Sequence, residues 1–199
     1  MGGVAGVFTA FGLSGSAGLN AYLPLLIVAL LARFFPSLIQ LNEPWTALTS
    51  WWTIGVLVVL LIIQIVADKV PAVNHANDVI QTVIRPAAGA ILFAASSNVI
   101  ADIHPVLAII CGIIVAGSVH VVKAAVIRPA VTVASAAPSG GTATVPANIV
   151  VSVLEDLVAI VTSLVAVFLP LILALVLLVA VVAIAWWLLS QQRARQART

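Results

Sequence analysis

Charge is what this chain lacks most. Only 7% of its 199 residues are Asp, Glu, Lys or Arg, 63% are hydrophobic, and the mean hydropathy is +1.28. An ordinary soluble domain carries about a quarter charged residues, so the balance excludes one and marks an integral membrane protein. Cysteine is nearly missing as well. The lone Cys111 lies in an apolar run, which leaves no disulfide framework and no Cys-based metal site. The pI near 9.2 does not imply nucleic acid, because eight Lys and Arg stand against six Asp and Glu, with Arg193, Arg195 and Arg198 in the tail. No Lys or Arg precedes Arg33 and Gly2 has no Ser or Thr at the required spacing, so neither a cleaved signal peptide nor myristoylation is expected.

What is present is a series of apolar segments. Residues 4–35 are interrupted by the glycine- and serine-rich run Gly12 to Asn20 and by Pro24, which predicts one kinked or broken first helix. A polar loop over 36–50 leads to Trp51-Trp52 and a second span ending near Ala67. Residues 71–85 place Val73, Ala76, Val79, Ile80, Val83 and Ile84 on one face and Asn74, His75, Asp78, Gln81, Thr82 and Arg85 on the other. Bounded by Pro71 and Pro86, this reads as a short amphipathic or re-entrant helix. Apolar segments follow at 87–101, 105–127, 149–169 and 171–189, with a flexible Pro- and Gly-rich loop at 129–147.

The expected architecture is therefore an all-α integral membrane protein of about six transmembrane segments. Residues 1–190 form a single polytopic domain and 191–199 a basic cytoplasmic tail. Six spans with the tail inside put Lys69, Arg85, Lys123, Arg128, Arg193, Arg195 and Arg198 on one side and only Arg33 on the other. The positive-inside bias then predicts both termini in the cytoplasm, and Trp51-Trp52 and Trp186-Trp187 mark opposite interfaces.

Two acids interrupt this pattern. Glu155 and Asp156 lie well inside the 149–169 segment, where ionised carboxylates are costly and usually functional. Asn148, Ser152, Glu155 and Thr162 follow one stripe, with Asp156 and Ser163 beside it. In the 105–127 helix, Ala108, Gly112, Ala116, His120, Ala124 and Arg128 recur every four residues, a row that permits close packing and then presents His120, Lys123 and Arg128 as counter-charges. Asp68, Lys69, His75, Asp78 and Arg85 join the same cytoplasmic-side layer. A buried polar pocket for an ion, a proton or a small anionic solute is the functional expectation, and an ion-pair network that locks helices is the structural one. No cofactor is expected; a divalent metal on His75, Asp78, Glu155 and Asp156 is the alternative.

The run Ala67-Asp68-Lys69-Val70-Pro71 with Asn74-His75, Asp78 and Ile84-Arg85-Pro86 through Gly89 resembles the bacterial membrane family called domain of unknown function 4126. His120, Lys123 and Arg128, then Asn148 to Ser152 and Glu155-Asp156, resemble its second half, and Gly15 through Tyr22 its first helix. The resemblance implies a bacterial inner-membrane protein and no particular activity; Asn74 stands where the family pattern has Asp. Together these features predict a small transporter or channel-like protein whose site comprises Asn20, Asp68, Lys69, His75, Asp78, Arg85, His120, Lys123, Arg128, Glu155 and Asp156. An accessory subunit of a membrane complex and a membrane-embedded metal-dependent enzyme are the other readings. The expected partners are the lipid bilayer and a homo-oligomer or complex partner, not nucleic acid.

Overall fold

The computed structural model describes residues 3–41, 43–69, 71–96, 103–127 and 144–169, with positions 175–176, 179–181 and 186 beyond them. Side chains of residues 3–4, 69, 71–76, 78, 126–127 and 144–148 lie outside the description. The order is α1 (Gly3–Leu19), α2 (Tyr22–Phe34), a 3₁₀ turn (Trp45–Thr49), α3 (Trp51–Lys69), α4 (Pro71–Ser96), α5 (Pro105–Val122), a π turn (Lys123–Ile127) and α6 (Thr144–Phe168). No strand occurs among the described residues. α3, α4, α5 and α6 are long and apolar enough to cross a membrane; α1 and α2 are shorter apolar helices. At 1.5 Å per residue these two reach about 25 and 20 Å, less than the roughly 30 Å of a hydrocarbon core.

Side-chain hydrogen bonds fix how the helices run. Thr9 donates to the Ala166 carbonyl, Ser16 to that of Ala159, and Asn20 to Asp156, so α1 is antiparallel to α6. Ser14 donates to the Gly89 carbonyl and Arg85 to that of Gly18, which makes α1 antiparallel to α4 as well. Gly15 lies near Val115, Gly18 near Val119, and Lys123 reaches Leu19, so α1 and α5 are parallel. Each hydroxyl caps a carbonyl on a neighbouring helix, where small residues let backbones come close and such polar contacts bind helices together.

α2 turns back. Its far end meets the start of α3: Arg33 donates to the Thr49 carbonyl, and the Phe34 ring stands edge-on to Trp51. Trp45, just upstream, packs against Ala10, Phe93 and Ala108, at the level of the first half of α1. Leu25, Val28 and Ala29 share one apolar core with Leu13, Leu92, Val167, Ile54 and Leu57. The stretch expected as one kinked or broken helix is broken at Asn20, and the break reverses the chain into a hairpin of two short helices with its tip inside the bundle. The turn is made by Asn20, whose side-chain oxygen accepts the Tyr22 and Leu23 N–H groups at 3.0 Å and so caps α2.

A second correction concerns residues 71–96. The separate amphipathic helix at 71–85 and the short apolar segment after it are one helix, α4, with Pro86 inside it. Pro86 lacks an N–H for the Thr82 carbonyl, which should weaken the helix there. In a packed bundle such breaks are tolerated because neighbouring helices re-satisfy the freed groups. Here α4 is clamped just beyond the proline: Gly89 and Gly112 bring α4 and α5 into backbone contact, and a Cβ on either would collide with the other helix. The four-residue row Ala108, Gly112, Ala116, His120 is buried in this contact.

The outward faces carry the apolar bulk. Ile62, Ile63 and Val66 of α3, Ile113, Ile114 and Val121 of α5, and Val150, Leu154 and Val161 of α6 are exposed, while Ser14, Ser16, Asn20, Arg85 and Lys123 are buried. That inversion suits a lipid surround, since polar groups must find partners within the protein.

Candidate functional site

The hairpin tip places two helix ends side by side in the interior. The last turn of α1 leaves carbonyls without helical partners, a locus of partial negative charge, and the first turn of α2 presents orphan N–H groups, a locus of partial positive charge. Side chains from α4, the π turn and α6 answer them. Arg85 Nη1 donates to the Gly18 carbonyl at 3.2 Å, and Lys123 Nζ to the Leu19 carbonyl at 3.2 Å. On the α2 side, Asn20 relays the positive end to a carboxylate, its Nδ2 donating to Asp156 Oδ1 at 2.8 Å. Cations meet the carbonyl end and an anion the N–H end.

Around this centre the contacts continue. Lys123 Nζ lies 2.5 Å from Glu155 Oε2, an ion pair between the π turn and α6 in which both partners are buried. Arg85, fully buried, donates through Nε to Gln81 Oε1 at 3.4 Å, and its Nη1 lies 3.2 Å from His120 Nδ1. A guanidinium only donates, so His120 accepts at Nδ1 and carries its proton on Nε2, which is 3.2 Å from the Thr82 hydroxyl. His120 is thus the neutral Nε2–H tautomer, wedged between α4 groups. Tyr22 shares a hydrogen bond with Gln81, and Asn77 donates to Asp68 Oδ1 at 2.8 Å. Asp68 is buried on α3, one turn beyond Gln64, whose amide is also buried and makes no hydrogen bond among the described residues.

The expected site residues fall into three groups. Asn20, Arg85, His120, Lys123, Glu155 and Asp156 converge on the tip. Asp68, on α3, accepts a hydrogen bond from Asn77 of α4. Lys69, His75, Asp78 and Arg128 lie outside the described side chains, and with them half of the expected metal set His75, Asp78, Glu155 and Asp156; among the described residues no three His, Cys, Asp or Glu gather as ligands would. The pairing differs in detail from charge-matching by sequence. Lys123 takes Glu155, and His120 meets Arg85 and Thr82. Arg85 is fully buried among the helices.

The polar stripe of α6 is also rotated. Ser152, Glu155, Ala159 and Ser163 are buried, while Thr162 is only half-buried. Sequence reasoning missed the backbone acceptors Gly18 and Leu19 and the hydroxyl contacts of Thr9, Ser14 and Ser16. The run Gly12 to Asn20 was the available signal, since small polar residues in an apolar helix mark close approach.

A family model described as a domain of unknown function (DUF4126) matches residues 7–191. No curated protein and no solved structure matches the chain.

Proposed function

Because the chain belongs to the DUF4126 family, whose description assigns no activity, we propose from the geometry alone that it is a small transporter or channel-like protein for protons or another small cation, with its site at the Asn20 tip. The observation that carries this reading is the helix break itself: opposed helix termini, ionisable groups from α4, α5 and α6, and a neutral histidine meet in the interior of an apolar bundle. Discontinuous helices near the membrane midplane supply binding sites in many transporters, and buried ionisable residues there form proton relays.

His120 is the proton-exchanging group in this mechanism. A proton arriving at Nδ1 removes the acceptor that Arg85 uses and sets two cations together, so Arg85 must withdraw from His120. Its grip on the Gly18 carbonyl changes with it, and the α1–α2 tip moves relative to α4 and α5. Asp156, half-buried and tied to Asn20, is the acid that exchanges the cation.

In this proposal the protein is a multi-pass protein of the bacterial inner membrane. Lys69, Arg85, Lys123, Arg128 and the arginine tail lie toward the cytoplasm. The hairpin makes no net crossing, so the N-terminus lies outside, together with Arg33 and the Trp45–Thr49 turn. This replaces the expectation of two cytoplasmic termini and leaves the charge asymmetry intact, because residues 1–32 carry no Lys or Arg. Purified protein in proteoliposomes should carry cation-dependent flux that varies with pH, and His120→Gln should remove the pH dependence without loss of folded protein. A pH profile unchanged by His120→Gln would overturn the proton role.

An accessory-subunit reading has one observation in its favour. Arg85 and Lys123 direct donors to backbone carbonyls and to one another's neighbours, as charges that knit helices do. A stoichiometric membrane partner on native purification, with no flux by the isolated chain, would select it.

A further inference from the structure

α3 turns one face away from the bundle, and that face is notched. Trp51, Gly55 and Val59 form one helical row, and Trp52, Val56 and Leu60 the row beside it. Together they line a groove of about 490 Å³. Gly55 opens it: a Cβ there would meet nothing within 4 Å, so no described residue fills the gap between Trp51 and Val59. From Trp51 to Leu60 the groove extends about 13 Å at 1.5 Å per residue, close to half of the roughly 30 Å hydrocarbon core and hence to one leaflet.

The tryptophan end of the groove carries a fixed cation. The Arg33 guanidinium stacks 4.2 Å from the centroid of Trp51, and its Nη1 donates to the Thr49 carbonyl at 2.6 Å. Phe34 packs edge-on against the same indole at 6.1 Å. Trp52 is 87% exposed beside it. Tryptophans mark the headgroup level of a bilayer, and the flat guanidinium fork matches phosphate geometry. A cation held at headgroup depth, above an apolar notch one leaflet long, has the chemistry of a phospholipid at its two ends.

We propose that this groove is a specific phospholipid site, with the phosphate on Arg33 and one acyl chain lying over Gly55. A helix of a second copy is the competing occupant. With side chains it is about 10–12 Å across, whereas the notch is the width of one missing side chain, which suits a single methylene chain.

The test is phospholipid titration of delipidated protein in detergent, read by native mass spectrometry. Dioleoyl phosphatidylglycerol and phosphatidylethanolamine serve as probes, and retained folding is checked by melting. One phospholipid should bind the wild type, and Arg33→Gln should raise its Kd by about tenfold to a hundredfold, the loss expected for a charge-assisted hydrogen bond. Gly55→Leu should do likewise by filling the notch, while Val121→Ala, on the exposed face of α5, should change nothing. Equal binding by the wild type, Arg33→Gln and Gly55→Leu would overturn the proposal. So would a lipid-free wild-type dimer that Gly55→Leu dissociates.

Discussion

Lys123 and Glu155 offer a sign test of how the buried charges support the bundle. Lys123→Met leaves the Glu155 carboxylate, 8% exposed, without the ammonium 2.5 Å away. Removing one partner of a buried pair destabilises by about 3–5 kcal/mol, because the survivor stays charged and desolvated. Glu155→Gln strands the ammonium in the same way. In the double variant Lys123→Met/Glu155→Gln no charge is left over. Among the described contacts, the Leu19 carbonyl loses the Lys123 donor at 3.2 Å, a deficit of about 1–3 kcal/mol for a buried unsatisfied group. For a chain of this size each kcal/mol moves the melting temperature by about 2–4 °C. Thermal melts in one detergent should therefore place each single variant about 10 °C below the wild type and the double about 5 °C below. The double must melt above both singles. A double variant that melts below either one would mean that the two residues act independently, and the pair would not be the interaction described.

Other expectations follow from the packing and the hairpin. Gly112→Ala drives a methyl into the Gly89 carbonyl and the Ala90 backbone, which cannot yield as a side-chain tip can, so it should destabilise by about 3 kcal/mol in the same melts. Gly55→Ala has open space and should be neutral or stabilising by up to about 1 kcal/mol. Asn20→Ala removes the α2 cap and the link to Asp156 and should cost about 2 kcal/mol; a melt equal to wild type would remove Asn20 as the organiser of the tip. In a Cys111→Ser background, single cysteines at Gly2 and Glu43 should react with an impermeant maleimide from the same side of the membrane. Labelling from opposite sides would restore one kinked span.

The membrane character and the apolar helices α3, α5 and α6 were legible because they rest on composition and length, which need no tertiary information. So was the Ala108–Gly112–Ala116–His120 row, since a four-residue recurrence of small residues can only be a packing face. The hairpin was not legible. A reversal at Asn20 and a kink there leave the same sequence trace, an apolar stretch with one polar residue and glycines, and only the partners of α2 distinguish them. Pro86 misled for a related reason: its local effect is to break a helix, and the Gly89–Gly112 contact that holds α4 together lies on another element. At the site, charge matching found Lys123–Glu155. The partners of Arg85 include the Gly18 backbone carbonyl, which no charge pattern reveals.

The central claim is that the Asn20 tip is where a proton or small cation is handled, and Asp156 tests it with least disturbance to the fold. Asp156→Asn keeps the side-chain carbonyl that accepts from Asn20 Nδ2 and removes only the charge. The decisive measurement is cation and proton flux in proteoliposomes holding matched amounts of folded wild-type and Asp156→Asn protein. The account predicts flux in the wild type and its loss, by tenfold or more, in the variant. Equal flux in the two, or none in the wild type across imposed pH and cation gradients, would contradict it.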